Sequence, residues 1–145
     1  MALAACFWHK ARMKPISLAI ALVVSLPLSA NAQQSMDAAE FDAYATGKTL
    51  YYADEGGRYG AEEYLPNHRV RWSFLDGQCK DGQWYQDGQM ICFTYEDDPE
   101  PQCWSFYKRG GGVVALFEND PEQTTLFEVQ QSDKPMMCLG PDIGV

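Results

Sequence analysis

The sequence predicts a mainly β domain: an antiparallel meander of about eight short strands that closes into a small barrel, with one N-terminal helix and two disulfides. Three observations predict it. After Gly47 the chain is a series of short runs rich in β-branched and aromatic residues, each cut by Gly, Pro, Asn or Asp. The connections between runs are too short for the crossovers that parallel strands need, so neighbours pair antiparallel. A meander of many short strands hides its edges most simply by pairing the first strand with the last.

Residues 33–36 are expected as a short disordered start, and the single domain as 37–145. The helix is expected over 37–46. Asp37 and Glu40 have the spacing of a capping box, in which the first side chain accepts from the N3 amide and the N3 carboxylate reaches back. Phe41, Tyr44 and Ala45 then fall on one face, and Gly47 suits the left-handed residue that ends a helix.

Strands follow in order. Thr49 to Tyr52 is turned by Glu55-Gly56-Gly57, and Tyr59 to Leu65 by Pro66-Asn67. Arg69 to Phe74 alternates polar and apolar, which places Val70, Trp72 and Phe74 on one face. Asp76-Gly77 and Asp81-Gly82 are expected to bound a loop before Gln83-Trp84-Tyr85. Asp87-Gly88 is the expected turn to Met90–Tyr95, since Asp-Gly is a strong hairpin signal. An acidic, two-proline loop, Glu96 to Pro101, precedes Cys103–Lys108. Gly110-Gly111-Gly112 turns to Val113–Phe117, and Asn119-Asp120-Pro121 to Thr124–Val129.

The first 32 residues read differently. Lys10, Arg12 and Lys14 precede an apolar run from Ile16 to Leu28, and Ala30 and Ala32 supply small residues at the −3 and −1 positions of a cleavage site. This is the pattern of a secretory signal peptide, and the run is shorter than the ~20 residues that span a bilayer. Without it the chain carries eight Lys and Arg against twenty Asp and Glu, a net charge of about −12. That field disfavours nucleic acid and anionic membrane surfaces as partners. The product is expected to be periplasmic or secreted and monomeric, with no membrane span once the signal is removed.

Four cysteines follow the signal: Cys79, Cys92, Cys103 and Cys138. An even count in a small exported domain reads as two disulfides, with three pairings open. A hairpin turning around Asp97-Asp98 sets Tyr95 opposite Glu100 and Cys92 opposite Cys103, within disulfide reach, and favours that pairing; Cys79–Cys138 then follows by elimination. No Cys-x-x-Cys occurs and His68 is the lone histidine of this region, so no metal or cofactor is expected.

Gly82-Gln83-Trp84, Ile91-Cys92-Phe93-x-Tyr95 and Cys103-Trp104 resemble a Gly-x-Trp … Cys-Phe-x-Tyr … Cys-Trp pattern of small exported, periplasmic alphaproteobacterial proteins, a domain-of-unknown-function family. Tyr59-Gly60-x-Glu62-x-Tyr64 and Arg69-Val70-x-Trp72 also fit it. The resemblance covers roughly residues 47–140. It implies a small periplasmic β fold with a Cys92–Cys103 bridge and implies no activity. Cys79 and Cys138 stand outside the core pattern.

Candidate chemistry is sparse. His68 has neither a nucleophile nor an orienting acid legible beside it, and reads as a solvated loop residue. Glu96-Asp97-Asp98-Pro99-Glu100 lacks the spacing of an EF-hand loop and reads as a hairpin tip, with a weak calcium site or a docking patch for a cationic partner as the functional alternatives. Glu62 and Glu63 as half of a glycosidase pair is a signal without weight among so many acids. Arg109-Gly110-Gly111-Gly112 has no P-loop Lys-Ser/Thr and reads as a turn.

The aromatics carry more. Three Trp, eight Tyr and six Phe follow the signal, and Trp72, Trp84 and Trp104 lie on three strands. Inward-facing rings of a small barrel either fill it or line a pocket. Both readings stand at this point; the functional one makes Trp72, Trp84 and Trp104 ligand contacts in a non-enzymatic binding module for a small apolar ligand. The alternatives are an acidic inhibitor of a basic, lysozyme-type envelope enzyme, steered by charge, and a hydrolase or isomerase working from the barrel cavity.

Overall fold

Eight strands run in sequence order round a closed barrel, β1 to β8, and β8 returns to pair with β1. The computed structural model describes residues 33–119, 122 and 124–139; the expected signal segment, 1–32, and the C-terminal residues 140–145 lie outside them. The strands are β1 Thr49–Asp54, β2 Gly57–Leu65, β3 Arg69–Ser73, β4 Lys80–Asp87, β5 Met90–Tyr95, β6 Asp98–Arg109, β7 Gly112–Phe117 and β8 Thr125–Ser132. Every pairing is antiparallel, and the closing one sets Thr49 opposite Ser132 and Ala53 opposite Phe127.

The helix α1, Ala38–Ala45, starts as its capping signal requires: the Asp37 side chain accepts from the Glu40 amide at 2.9 Å and the Glu40 carboxylate from the Asp37 amide. Gly47, at φ +84°, turns the chain out of the helix, and its N–H bonds the Tyr64 carbonyl at 2.8 Å. α1 closes one end of the barrel. Phe41 is fully buried there, with its ring 4.5 Å from Phe106, 5.2 Å from Trp84 and 5.4 Å from Tyr64. Tyr44 anchors the helix from its other side, its hydroxyl donating to Glu128 at 2.5 Å. The stretch 33–36 is a correction to the expected disordered start: Ser35 and Met36 are buried, and the Met36 amide bonds the Phe106 carbonyl at 2.8 Å. A segment that buries a methionine and pairs its backbone is ordered by that packing.

Alternation sends every second side chain inward, so Leu50 and Tyr52, Val70 and Trp72, and Ile91 and Phe93 are buried on three strands. Three local readings are corrected. Asp81-Gly82 is inside β4 rather than at a turn. Gly82 is there because the Tyr95 ring lies over it: a Cβ would sit 2.8 Å from Tyr95 Cδ1 and 2.4 Å from the Thr94 carbonyl oxygen. The hairpin expected at Asp87-Gly88 turns one residue later, since Asp87 pairs with Met90 and Gly88 takes φ +59°. In the acidic hairpin Cys92 does oppose Cys103, but Tyr95 opposes Asp98 rather than Glu100. A bulge on β6 absorbs the difference, and it falls where Pro99 and Pro101 have no N–H to give a regular ladder.

Both disulfides are formed, Cys92–Cys103 across β5 and β6 and Cys79–Cys138 between the β3–β4 loop and the C-terminal segment. The second straps that segment along the outside of the barrel. Along the strap, Thr49 Oγ1 donates to the Lys134 carbonyl at 3.0 Å, the Met136 amide to Glu63 Oε2 at 3.2 Å, and the Leu139 amide to the Gly77 carbonyl at 2.7 Å. Glu62 and Glu63 therefore face opposite sides of β2.

Candidate functional site

At the end away from α1 the barrel interior holds a cavity of about 70 Å³. The β1–β2, β3–β4 and β5–β6 connections surround its mouth. Tyr52, Tyr64, Phe93 and Phe106 wall its inner part, and Trp72 and Trp104 its flanks. Glycine makes room for the rings: a Cβ at Gly60 would meet Trp72 Cζ2 at 2.3 Å, so only glycine lets the indole lie across β2. Tyr59, Trp72 and Phe74 stand as a wall of rings at the mouth, with centroids 5.4 to 5.9 Å apart. Opposite them Lys80 pairs with Asp97 at 2.5 Å, its ammonium also 5.9 Å from the Phe74 ring. Phe74 is 52% exposed, an apolar ring held out at the entrance.

One carboxyl group lies inside this aromatic lining. Glu62, on β2, occupies the inward register between Gly60 and Tyr64 and is only 3% exposed. Its Oε2 accepts the Tyr95 hydroxyl at 2.9 Å, while its Oε1 is buried with no hydrogen-bonding partner. Burial pushes its pKa up to about 8, against a partial downward pull from the Tyr95 hydroxyl. The cavity phenols are themselves raised: burial holds Tyr52, Tyr64 and Tyr95 well above their ordinary range, and Tyr52 and Tyr64 share a 2.9 Å hydroxyl–hydroxyl bond. At neutral pH the inner lining is thus an uncharged set of rings and hydroxyls around a carboxyl that holds its proton, and the charged groups Lys80, Asp97 and Asp98 are confined to the mouth.

The three tryptophans divide between the two ends. Trp72 and Trp104 line the cavity, with the Trp104 ring also 4.8 Å from Phe117. Trp84 packs at the closed end between Phe41 and His68, stacked on the imidazole at 3.9 Å between centroids, and its indole N–H is buried without an acceptor. His68 is exposed in the β2–β3 turn at φ +58°, on the far side from the cavity mouth. Glu63, on the outer face, serves the C-terminal strap, and Gly110 and Gly111, both at positive φ, make the β6–β7 turn. Asp97 and Asp98 border the cavity mouth. Among the described residues no group of three or more His, Cys, Asp and Glu is placed to hold a metal ion, and no helix is long and apolar enough to cross a membrane.

Glu62 is the residue that sequence reasoning set aside, weighing it with Glu63 only as half of a glycosidase pair and not as a buried acid. Its signal was present in Tyr59-Gly60-Ala61-Glu62-Glu63-Tyr64, where period-two alternation sets Glu62 on the same face as the buried Tyr64. A carboxylate at an inward position between aromatic neighbours is the pattern to notice, because a buried acid is costly unless something compensates it. No family model, curated protein or solved structure matches this chain.

Proposed function

We propose that this protein is a non-enzymatic binding module that takes a small ligand into the open end of its barrel. The carrying observation is the unfilled, ring-lined space beside Trp72 and Trp104, at the end that α1 does not plug. At about 70 Å³ the space is far below the ~300–1,000 Å³ of drug-sized pockets, which favours a compact ligand, or the end group of a longer one, over a lipocalin-sized cargo. The two disulfides suit an exported protein of the periplasm or cell exterior. The resemblance to small periplasmic alphaproteobacterial proteins of unknown function agrees with that placement.

The test is titration with two-to-four-carbon alcohols and amines, read by tryptophan fluorescence and thermal shift, on the wild type and on Ala115→Leu. Ala115 lines the cavity and is 1% exposed, so a larger side chain there fills it. Saturable binding by the wild type and its loss in Ala115→Leu support the proposal. No binding by any probe, with a variant indistinguishable from wild type, overturns it.

A second reading, the acidic inhibitor of a basic envelope enzyme, draws on the exposed acids Glu96, Asp97 and Glu100 grouped at the β5–β6 hairpin. It requires a complex with a basic lysozyme at low ionic strength that weakens steeply as salt is added. Absence of a complex at low salt removes it.

A further inference from the structure

We infer that the ligand of this cavity is a small organic ammonium ion bearing at least one N–H, with Glu62 as its counter-ion and the surrounding rings as its cage. The inference rests on reading the cavity as a ligand site and specifies what enters it. Its first support is the orphaned Oε1 of Glu62, a fully buried acceptor within the cavity wall. Buried polar atoms without partners are rare in folded proteins and call for an explanation. Oε2 already has the Tyr95 hydroxyl, so Oε1 is the atom left to receive a donor.

The second support is the chemistry around it. Trp72, Tyr95, Phe93 and Trp104 all line the same small volume. Aromatic faces attract an organic cation through the ring quadrupole, and more strongly when water is excluded. The third is charge. Among the described residues no Arg or His lines the cavity, and the one cation there, Lys80, is at the mouth and paired to Asp97. Neither ion pair of the described residues, Arg71–Asp81 or Lys80–Asp97, involves Glu62. With Asp98 also at the entrance and a net charge of −9 over the whole chain, the field draws cations and repels carboxylates and phosphates.

The N–H requirement separates primary to tertiary amines from quaternary ones. A quaternary ammonium satisfies the rings but leaves Oε1 without its hydrogen bond. Entry of the cation also moves a proton. Glu62 holds its proton at pH 7, and forming the carboxylate–ammonium pair releases it to solvent. The groups facing Glu62 do not compete in this exchange: Tyr52, Tyr64 and Tyr95 stay neutral, Tyr59 is raised in the same sense, and Lys80 and Asp97 neutralise each other.

The experiment is isothermal titration of the full folded protein at pH 7 with propylammonium chloride, tetramethylammonium chloride and 1-propanol, in two buffers of different ionisation heat. The expected result is propylammonium bound at least tenfold more tightly than either other probe, with about one proton released per cation. Glu62→Gln should lose tenfold or more in propylammonium affinity and keep its 1-propanol affinity. Glu63→Gln, the same change one residue along on the outer face of β2 and outside the cavity lining, should keep the preference for the cation, and the retained 1-propanol binding of Glu62→Gln guards against a folding defect in that variant. Equal binding of propylammonium and 1-propanol, or a Glu62→Gln variant with unchanged cation affinity, overturns the ammonium assignment while leaving a neutral binding site standing. Binding of none of the three probes overturns both.

Discussion

Replacing Glu62 by glutamine should make the fold more stable, and the gain should grow with pH. The carboxyl group has a pKa of about 8 in the folded protein against an ordinary 4.5, because burial penalises its charged form. A folded-state pKa above the unfolded one means that the native state holds the proton more tightly. Below pH 4.5 both states are protonated and Glu62 contributes no pH-linked penalty. As the pH rises from 4.5 to 8 the unfolded chain ionises and the folded one does not, so stability falls through that window, and above 8 the loss is complete. At 1.36 kcal/mol per pH unit the linked loss is about 3 kcal/mol at pH 7 and about 5 kcal/mol at pH 9, as orders of magnitude. The amide of the variant does not titrate. Urea unfolding of wild type and Glu62→Gln at pH 5, 7 and 9, without added amine, therefore gives a difference that widens by several kcal/mol across the series. The constant part of that difference reports the amide-for-acid exchange against Tyr95; the slope reports the burial. A difference independent of pH would refute the reasoning, because it would mean that Glu62 ionises as readily in the barrel as in water.

Three further outcomes follow from the packing. Phe41→Ala removes the ring that plugs the closed end and should cost about 3–5 kcal/mol in denaturant unfolding; a loss below about 1 kcal/mol would show that α1 is not seated as described. Gly82→Ala forces a methyl group against the Thr94 carbonyl and the Tyr95 ring, and should destabilise by about 1–3 kcal/mol and weaken the near-ultraviolet tyrosine signal, whereas a neutral result would contradict the close approach. Removing Cys79–Cys138, whose partners are 59 residues apart, should cost about 4 kcal/mol, against about 3 kcal/mol for Cys92–Cys103 at a separation of 11; the reverse order in unfolding of the paired Cys→Ala variants would refute a chain-entropy account.

The architecture was legible because its signals are local and agree with one another. Asp37 and Glu40 cap the helix as their spacing requires, and period-two alternation sends Val70 and Trp72 inward. Cysteine count and hairpin geometry were enough for both bridges. What failed was the meaning of isolated punctuation. Asp81-Gly82 has the composition of a turn, but its glycine answers to a ring on the neighbouring strand, and sequence does not display a contact thirteen residues away. Pro99 and Pro101 look like loop residues and lie instead in a bulged strand. The site was legible in kind rather than in place. That rings would face inward followed from alternation. Which end of the barrel α1 occupies depends on tertiary docking of Phe41, and that docking assigns Trp84 to the packed end and leaves Trp72 and Trp104 beside the cavity.

The pairing of β1 with β8 has a consequence for biogenesis. The seam joins Thr49 to Ser132, a span of most of the domain, while every other ladder joins neighbours in the chain. Seven strands can zip one after another as hairpins, but the product is an open sheet with two bare edges until the eighth is delivered. Such long-range closure is slow to form, and the waiting intermediate is the species at risk of edge-to-edge aggregation. A chain emerging from its N-terminus therefore has no finished barrel until residues 125–132 are free, and a truncation just before Thr125 should yield aggregates rather than a smaller stable barrel.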